Sequence, residues 1–352
     1  MPNQPNKTPP IASIPVTKLM TLALIVRLAI VPQSMTMTKN IRFVAAAGLL
    51  ALLGTPPLTA KEAAPSRAEA PAAATVAAAQ TPPVPVPAKP ALWKIADADT
   101  TIYLFGTIHI LPEATQWYSG PVAQAFNSSQ MLVTEAIVDS PAELQKEFMA
   151  KAVRTDGTTL RQSLPEKERA ALEKAADGLG IPAEALDRFK PWYAALLLST
   201  LPMQNAGYKA DNGVEAQIEA LAKEHGLKRE ALETPAYQIG LFDSLPPDAQ
   251  TRYLDDVLRQ LPTLREDLAR LIAAWKAGRP DDLAKILNAD ESDERVRKVL
   301  LSDRNAAWAK WLKARLDQPG TIFVAVGAGH LAGEDSVQDQ LAAEGVASTR
   351  LQ

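Results

Sequence analysis

Thr101-Ile-Tyr-Leu-Phe-Gly-Thr-Ile-His109 is the stretch on which the fold turns. Ile102 to Phe105 are apolar or β-favouring residues in a run short enough for a buried strand, and Gly106 permits an abrupt exit from it. His109 is left just past the strand end. The construction returns near the C-terminus, where Ile322 to Val326 precede Gly327-Ala-Gly-His330. Both places read strand, then Gly-x-x-His. In open α/β sheets ligands bind beyond the carboxyl ends of the strands, so two such loops on adjacent strands converge on one site. A single histidine after a strand is ordinarily a structural residue. Here two of only three histidines share one local context, which favours a shared function.

The chain has 352 residues, a formal net charge of -3 and no cysteine. The charge predicts no general affinity for nucleic acid or for an anionic membrane. Without cysteine there are neither disulfides nor thiolate metal sites, so a metal has to be held by histidine and carboxylate.

The first sixty residues contain two apolar stretches. Lys18 and Arg27 interrupt the first, which makes it a poor membrane span. The second runs from the basic start Met37-Thr-Lys-Asn-Ile-Arg42 through the uncharged Phe43 to Gly54 and ends near Ala60. Basic start, apolar run and small-residue end are the parts of a secretory signal peptide, expected over about 37–60 with translation starting at Met35 or Met37. An uncleaved anchor tethering the protein to a membrane is the alternative. Either reading implies export to the periplasm or beyond. Residues 61–90 are rich in alanine and proline and predict a disordered tether.

From 91 onward the pattern predicts a folded α/β domain of the α+β-like kind. It combines a central mixed sheet of short strands carrying site loops with a large helical insertion, about 140–210 and 236–317. Leu92 to Ala96 pairs with Ile102 to Phe105 as a hairpin. Met131 to Thr134 is a third strand, which Glu135 ends, and Lys228 to Glu233 is another. Glu135 is then either a solvated strand-end acid or a partner of the histidines. Glu215 lies in the first turn of a helix opened by Asn212-Gly213, where it either favours the helix dipole or points into the cleft. His225, before Gly226, reads as a structural helix end. Arg304 is either a surface ion-pair residue or a charge neutralising a carboxylate or oxyanion. Trp308 and Trp311 read as packing anchors, and Leu254, Val257, Leu258, Leu261, Leu264, Leu268, Leu271 and Ile272 as one apolar stripe. Pro191 to Leu201 is a buried helix too short to cross a bilayer. Nucleotide-binding glycine loops, His-Glu-x-x-His and Gly-x-Ser-x-Gly are all absent.

Leu104-Phe-Gly-Thr-Ile-His109, Glu135, Gly213-Val-Glu215, Leu232-Glu-Thr234 with Gln238, Arg304-Asn305 before Trp308, and Val326-Gly-Ala-Gly-His-Leu331 together resemble the TraB/PrgY/GumN family. That family is similar to the Tiki metalloproteases and to the haem-binding ChaN-like and erythromycin-esterase-like proteins. The resemblance implies a metal-dependent hydrolase, foremost a protease, acting on a peptide or small-molecule substrate. It makes His109 and His330 the candidate metal ligands, Glu135 their acidic partner and Arg304 a charged site residue. Glu215 departs from the aspartate of many members.

The expected chemistry is hydrolysis at a divalent Zn, Mn or Co ion bound by His109 and His330. Glu135 serves as ligand or general base, Glu215 or Glu233 completes the ligand shell, and Arg304 stabilises the oxyanion. Two rivals stand beside it. One is an exported peptide- or haem-binding protein without catalysis; the other is a metal-independent hydrolase with a histidine base beside Glu135.

Overall fold

Six short strands run through the middle of the folded chain in the order β4-β3-β5-β2-β1-β6. They are β1 (Leu92–Ala96), β2 (Thr100–Thr107), β3 (Met131–Thr134), β4 (Lys228–Ala231), β5 (Gly320–Gly327) and β6 (Thr349–Arg350). The structure, a computed structural model, describes residues 87–112, 115–287 and 293–352. The expected export segment, 1–60, and nearly all of the tether lie outside the described residues. The folded part begins slightly before residue 91. Ala88 is buried, its N–H donates to the Gln116 carbonyl at 2.7 Å, and the N–H of Lys89 donates to that of Lys276 at 2.8 Å. Backbone pairing thus fixes the last residues assigned to the tether.

β1 and β2 form the expected antiparallel hairpin. β2 and β5 are parallel neighbours in a register that pairs Gly106 with Val326 and Thr107 with Gln-free Gly327, so the two Gly-x-x-His loops leave the sheet side by side. β3 lies parallel on the other side of β5, and β4 parallel on the far side of β3. Four strands therefore end along one edge, and the order of the chain does not predict that adjacency.

Alternation along each strand sends side chains to opposite faces. Ile102, Leu104, Ile322, Val324 and Val326 face one core, against the helices Asp303–Leu316 and Val337–Ala343. Phe105, Phe323 and Ala325 face another, packed by Phe126, Ile218, Leu268 and Trp275 from four segments of the chain. A third core is purely helical. It gathers Phe148, Leu172, Trp192, Phe242, Tyr253 and Leu300 from helices between β3 and β5.

The single apolar stripe expected from Leu254 to Ile272 is split between two cores. Leu254, Val257 and Leu258 belong to the helical core, whereas Leu264, Leu268, Leu271 and Ile272 pack toward the sheet. Pro262 explains the split, because it lies in a tight turn, Leu261–Thr263, that separates two helices and changes the face presented. Consequently the helical segment 236–317 is not one block, since part of it covers the sheet. Pro191–Asn205 is a buried helix, and among the described residues no helix is long and apolar enough to cross a membrane.

Candidate functional site

Gly106 and Gly327 open the two matching loops, and each is required for a different reason. A Cβ on Gly106 would stand 3.0 Å from the Cα of Ala328, so only glycine lets the second loop pass that close to β2. A Cβ on Gly327 would stand 3.1 Å from Glu135 Oε1, 3.7 Å from His330 Cδ2 and 3.8 Å from His109 Nε2. One point thus lies within 4 Å of both histidines and the acid. The missing side chain of Gly327 is the space around which the site is built.

His109 is buried, and its Nδ1 lies 3.2 Å from Glu215 Oε2. Glu215 is in turn held by the hydroxyl of Thr107, which donates to Oε1. The loop is pinned to that helix start, because the Val214 N–H donates to the Ile108 carbonyl at 2.8 Å. Of the two readings of Glu215, the structure takes the second: its carboxyl points into the cleft and orients an imidazole.

Glu135 and Glu233 stand side by side because the loops after β3 and β4 keep the strands' pairing, with the Glu233 N–H donating to the Glu135 carbonyl at 2.8 Å. Arg304 binds both. Its Nε and Nη2 donate to Glu233 Oε1 and Oε2, and Nη2 also donates to Glu135 Oε2, each at 2.8 Å. Gln238 Nε2 bridges the same two carboxyls at 3.1 Å each, and the Gly327 N–H donates to Glu135 Oε1 at 2.8 Å. A π-helical turn, Lys298–Ser302, runs directly into the helix bearing Arg304. There the Leu300 carbonyl accepts from Arg304 Nη1 at 3.2 Å. Such turns change a helix's register and are frequent at functional sites.

His330 sits between Arg304 and Asn305. Arg304 has no acceptor, so at the 3.2 Å contact between Nη1 and Nε2 the imidazole must accept. Its proton is therefore on Nδ1, which donates to Asn305 Oδ1. The amide is oriented by its other end, where Nδ2 donates to the Asp335 carbonyl at 2.7 Å. Asp335 has a φ of 59°, and its carboxylate is tied to Ser302 and Arg297. Trp308 packs its ring 4.2 Å from that of His330 and donates from Nε1 to Glu233 Oε1 at 2.9 Å.

These contacts set the charges. Burial alone would raise the pKa of Glu135, but Arg304 above all, with the Gly327 N–H, holds it well below the usual carboxylate range. Burial opposes the charge of Arg304, yet Glu135 and Glu233 keep it more firmly protonated than a free guanidinium. Burial, then Arg304, push the His330 pKa well below its ordinary value against the pull of Glu135. His330 is a neutral imidazole of fixed tautomer at pH 7.

All five side chains singled out in the sequence, His109, Glu135, Glu215, Glu233 and Arg304, are brought together with His330. His225 is elsewhere in role: it ends the helix Val214–Glu224 and lies edge-on to Phe126 at 5.7 Å. Thr107 and Trp308 were not expected at the site. Trp308, read as a packing anchor, is also a hydrogen-bond donor to a buried acid, a duty that an indole with no polar neighbour in sequence gives no sign of.

A family described as the TraB/PrgY/gumN family matches residues 91–350, nearly the whole described chain. The chain belongs to this family. The uncharacterized protein YbaP of Escherichia coli (strain K12) is 28% identical over 182 residues, covering 52% of this chain and 67% of that protein. An uncharacterized protein of Treponema pallidum (strain Nichols) is 25% identical over 268 residues, covering 70% and 78%. No solved structure matches.

The fit of this TraB/PrgY/gumN site to a metal ion turns on the donors. Both imidazoles are anchored through Nδ1, by Glu215 and by Asn305, the way histidine ligands are oriented by outer partners. Three acidic side chains also surround one guanidinium, an imbalance that a dication offsets. The donor types therefore fit. As the side chains stand, however, no group of three His, Asp or Glu among the described residues is disposed to hold an ion. Binding through His330 Nε2 requires Arg304 Nη1 to give up that nitrogen.

Proposed function

We propose that this chain is an exported hydrolase of acyl bonds, a peptide bond foremost, working at a divalent Zn, Mn or Co ion. The reading rests on one observation: two imidazoles from distant parts of the sequence approach one point beside Glu135, each fixed through its Nδ1. His109 and His330 through Nε2, with Glu135 through Oε1, are the residues that would hold the ion. Such an ion polarises a carbonyl and lowers the pKa of water.

The chain's own groups supply the remaining requirements. Glu135, kept ionised by Arg304, suits a ligand better than a proton acceptor at neutral pH. Glu215 holds His109 in one tautomer, so that Nε2 is the nitrogen available to the reacting centre. Arg304 engages its N–H groups with Glu135, Glu233, Leu300 and His330, which makes it a positioning residue for the carboxyls rather than the oxyanion donor expected from the sequence. Glu233, bound by Arg304, Trp308 and Gln238, is likewise a holder of that frame and not an open ligand.

A specific contact favours a second reading, a metal-independent hydrolase in which His109, oriented by Glu215, is the general base. That contact is Arg304 Nη1 against His330 Nε2 at 3.2 Å. Elemental analysis of the purified protein, with peptide and ester cleavage assayed with and without chelator, separates the two. Bound metal and chelator-sensitive cleavage lost in His109→Ala and His330→Ala support the first reading. Chelator-resistant cleavage lost only in His109→Ala supports the second, and a folded protein that cleaves nothing removes both in favour of binding alone.

A further inference from the structure

Directly beside His109 and Glu135 lies a recess of about 420 Å³, counted out to its open mouth. His109, Glu135 and Glu215 form its polar end, and Ala136, Val138, Leu144 and Pro235 line it with carbon. Two of those residues come from helices outside the sheet, Leu144 from Pro141–Ala152 and Pro235 from the start of Pro235–Asp243. The sheet thus supplies the polar groups while the helices add an apolar wall. Its volume is at the low end for ligand pockets, which suits one side chain or a short acyl group.

We infer that this recess receives a branched aliphatic side chain, of the size of leucine or valine, next to the bond that is cleaved. The inference rests on the hydrolytic reading above and adds the substrate class. Charge excludes the alternatives. No lysine or arginine lines the recess, so an acidic side chain finds no partner and meets Glu135 and Glu215 instead. A long basic chain reaches those acids only by burying its stem and charge in a cleft too small for both. An aliphatic group leaves no polar atom unsatisfied and removes Val138 and Leu144 from water.

Binding can be read without catalysis. The full chain is titrated with N-acetyl-leucine amide, N-acetyl-glycine amide and N-acetyl-aspartic acid amide, observed by ligand NMR. The leucine compound is expected to bind about tenfold or more tightly than the glycine compound, with the aspartate compound weakest. Val138→Trp, which fills the recess, abolishes the leucine preference, and Leu144→Ala, which widens it, moves the preference toward phenylalanine. Equal binding of the leucine and glycine compounds to the wild-type protein overturns the inference, as does a leucine preference unchanged in both variants. Digestion of a peptide mixture then separates the two levels. Cleavage without preference for aliphatic flanking residues overturns the recess and leaves hydrolysis standing. Leucine-selective binding without cleavage supports the recess and removes the hydrolase.

Discussion

Arg304 and Glu233 are joined by two parallel hydrogen bonds, Nε to Oε1 and Nη2 to Oε2, each 2.8 Å long, inside the protein. The fork geometry suits arginine alone, and the same guanidinium holds Glu135. Arg304→Met leaves two buried carboxylates without their cation and should cost about 3–5 kcal/mol in denaturant unfolding. Arg304→Lys keeps the charge but loses the fork, so it should be intermediate. Equal stability of Arg304→Met and wild type would contradict the arrangement.

Asn305 is expected to act through His330. Replacing it with leucine keeps the volume but removes the acceptor for Nδ1, freeing the imidazole to change tautomer. Outer partners of this kind are worth about 10–100-fold in metal affinity or activity. A titration with Zn or Mn on Asn305→Leu should show that loss with an unchanged thermal melt, whereas His225→Leu should not.

The two loop glycines should fail differently. Gly327→Ala places a methyl among Glu135, His330 and His109, so it should suppress metal binding and turnover while the protein stays folded. Gly106→Ala presses on the backbone of Ala328 and should instead destabilise by about 1–3 kcal/mol, as overpacking does. Parallel melting curves and metal titrations of the two variants check the contrast.

Away from the site, Asp293 carries a pH signature. Hydrogen bonds from Arg295, then Arg252, hold its pKa well below the usual carboxylate range although burial opposes them. A depressed acid stabilises the fold above the pKa of the unfolded chain, and that contribution is lost as pH falls through the folded value. Asp293→Asn should therefore melt lower than wild type at pH 7, and the two curves should converge as pH drops below about 4. A difference that persists undiminished at pH 2 would rule out the charge as its cause.

The strands were legible because each is a short run of apolar or β-branched residues ended by glycine or an acid. Ile322 to Val326 announces β5, and Met131 to Thr134 matches β3. Glu135 was legible as a candidate for the same reason, since it follows an apolar run. Glu215 was ambiguous, because an acid in a first helical turn has a sufficient local explanation in the dipole. The split of the Leu254 to Ile272 stripe was hidden because periodicity records which side chains are apolar, not which core they enter.

By itself the sequence determined the elements, the twin Gly-x-x-His loops and the choice of chemical groups, since local propensity and residue type are properties of neighbours along the chain. Only the tertiary structure decided that β5 lies between β2 and β3, which seats His109, Glu135 and His330 around the empty side of Gly327. It also decided that Arg304 is spent on two acids and that Asn305 sets the tautomer of His330. Those relations join residues far apart in the chain, and they exist only once strand pairing and burial have removed the water that would otherwise satisfy each group separately.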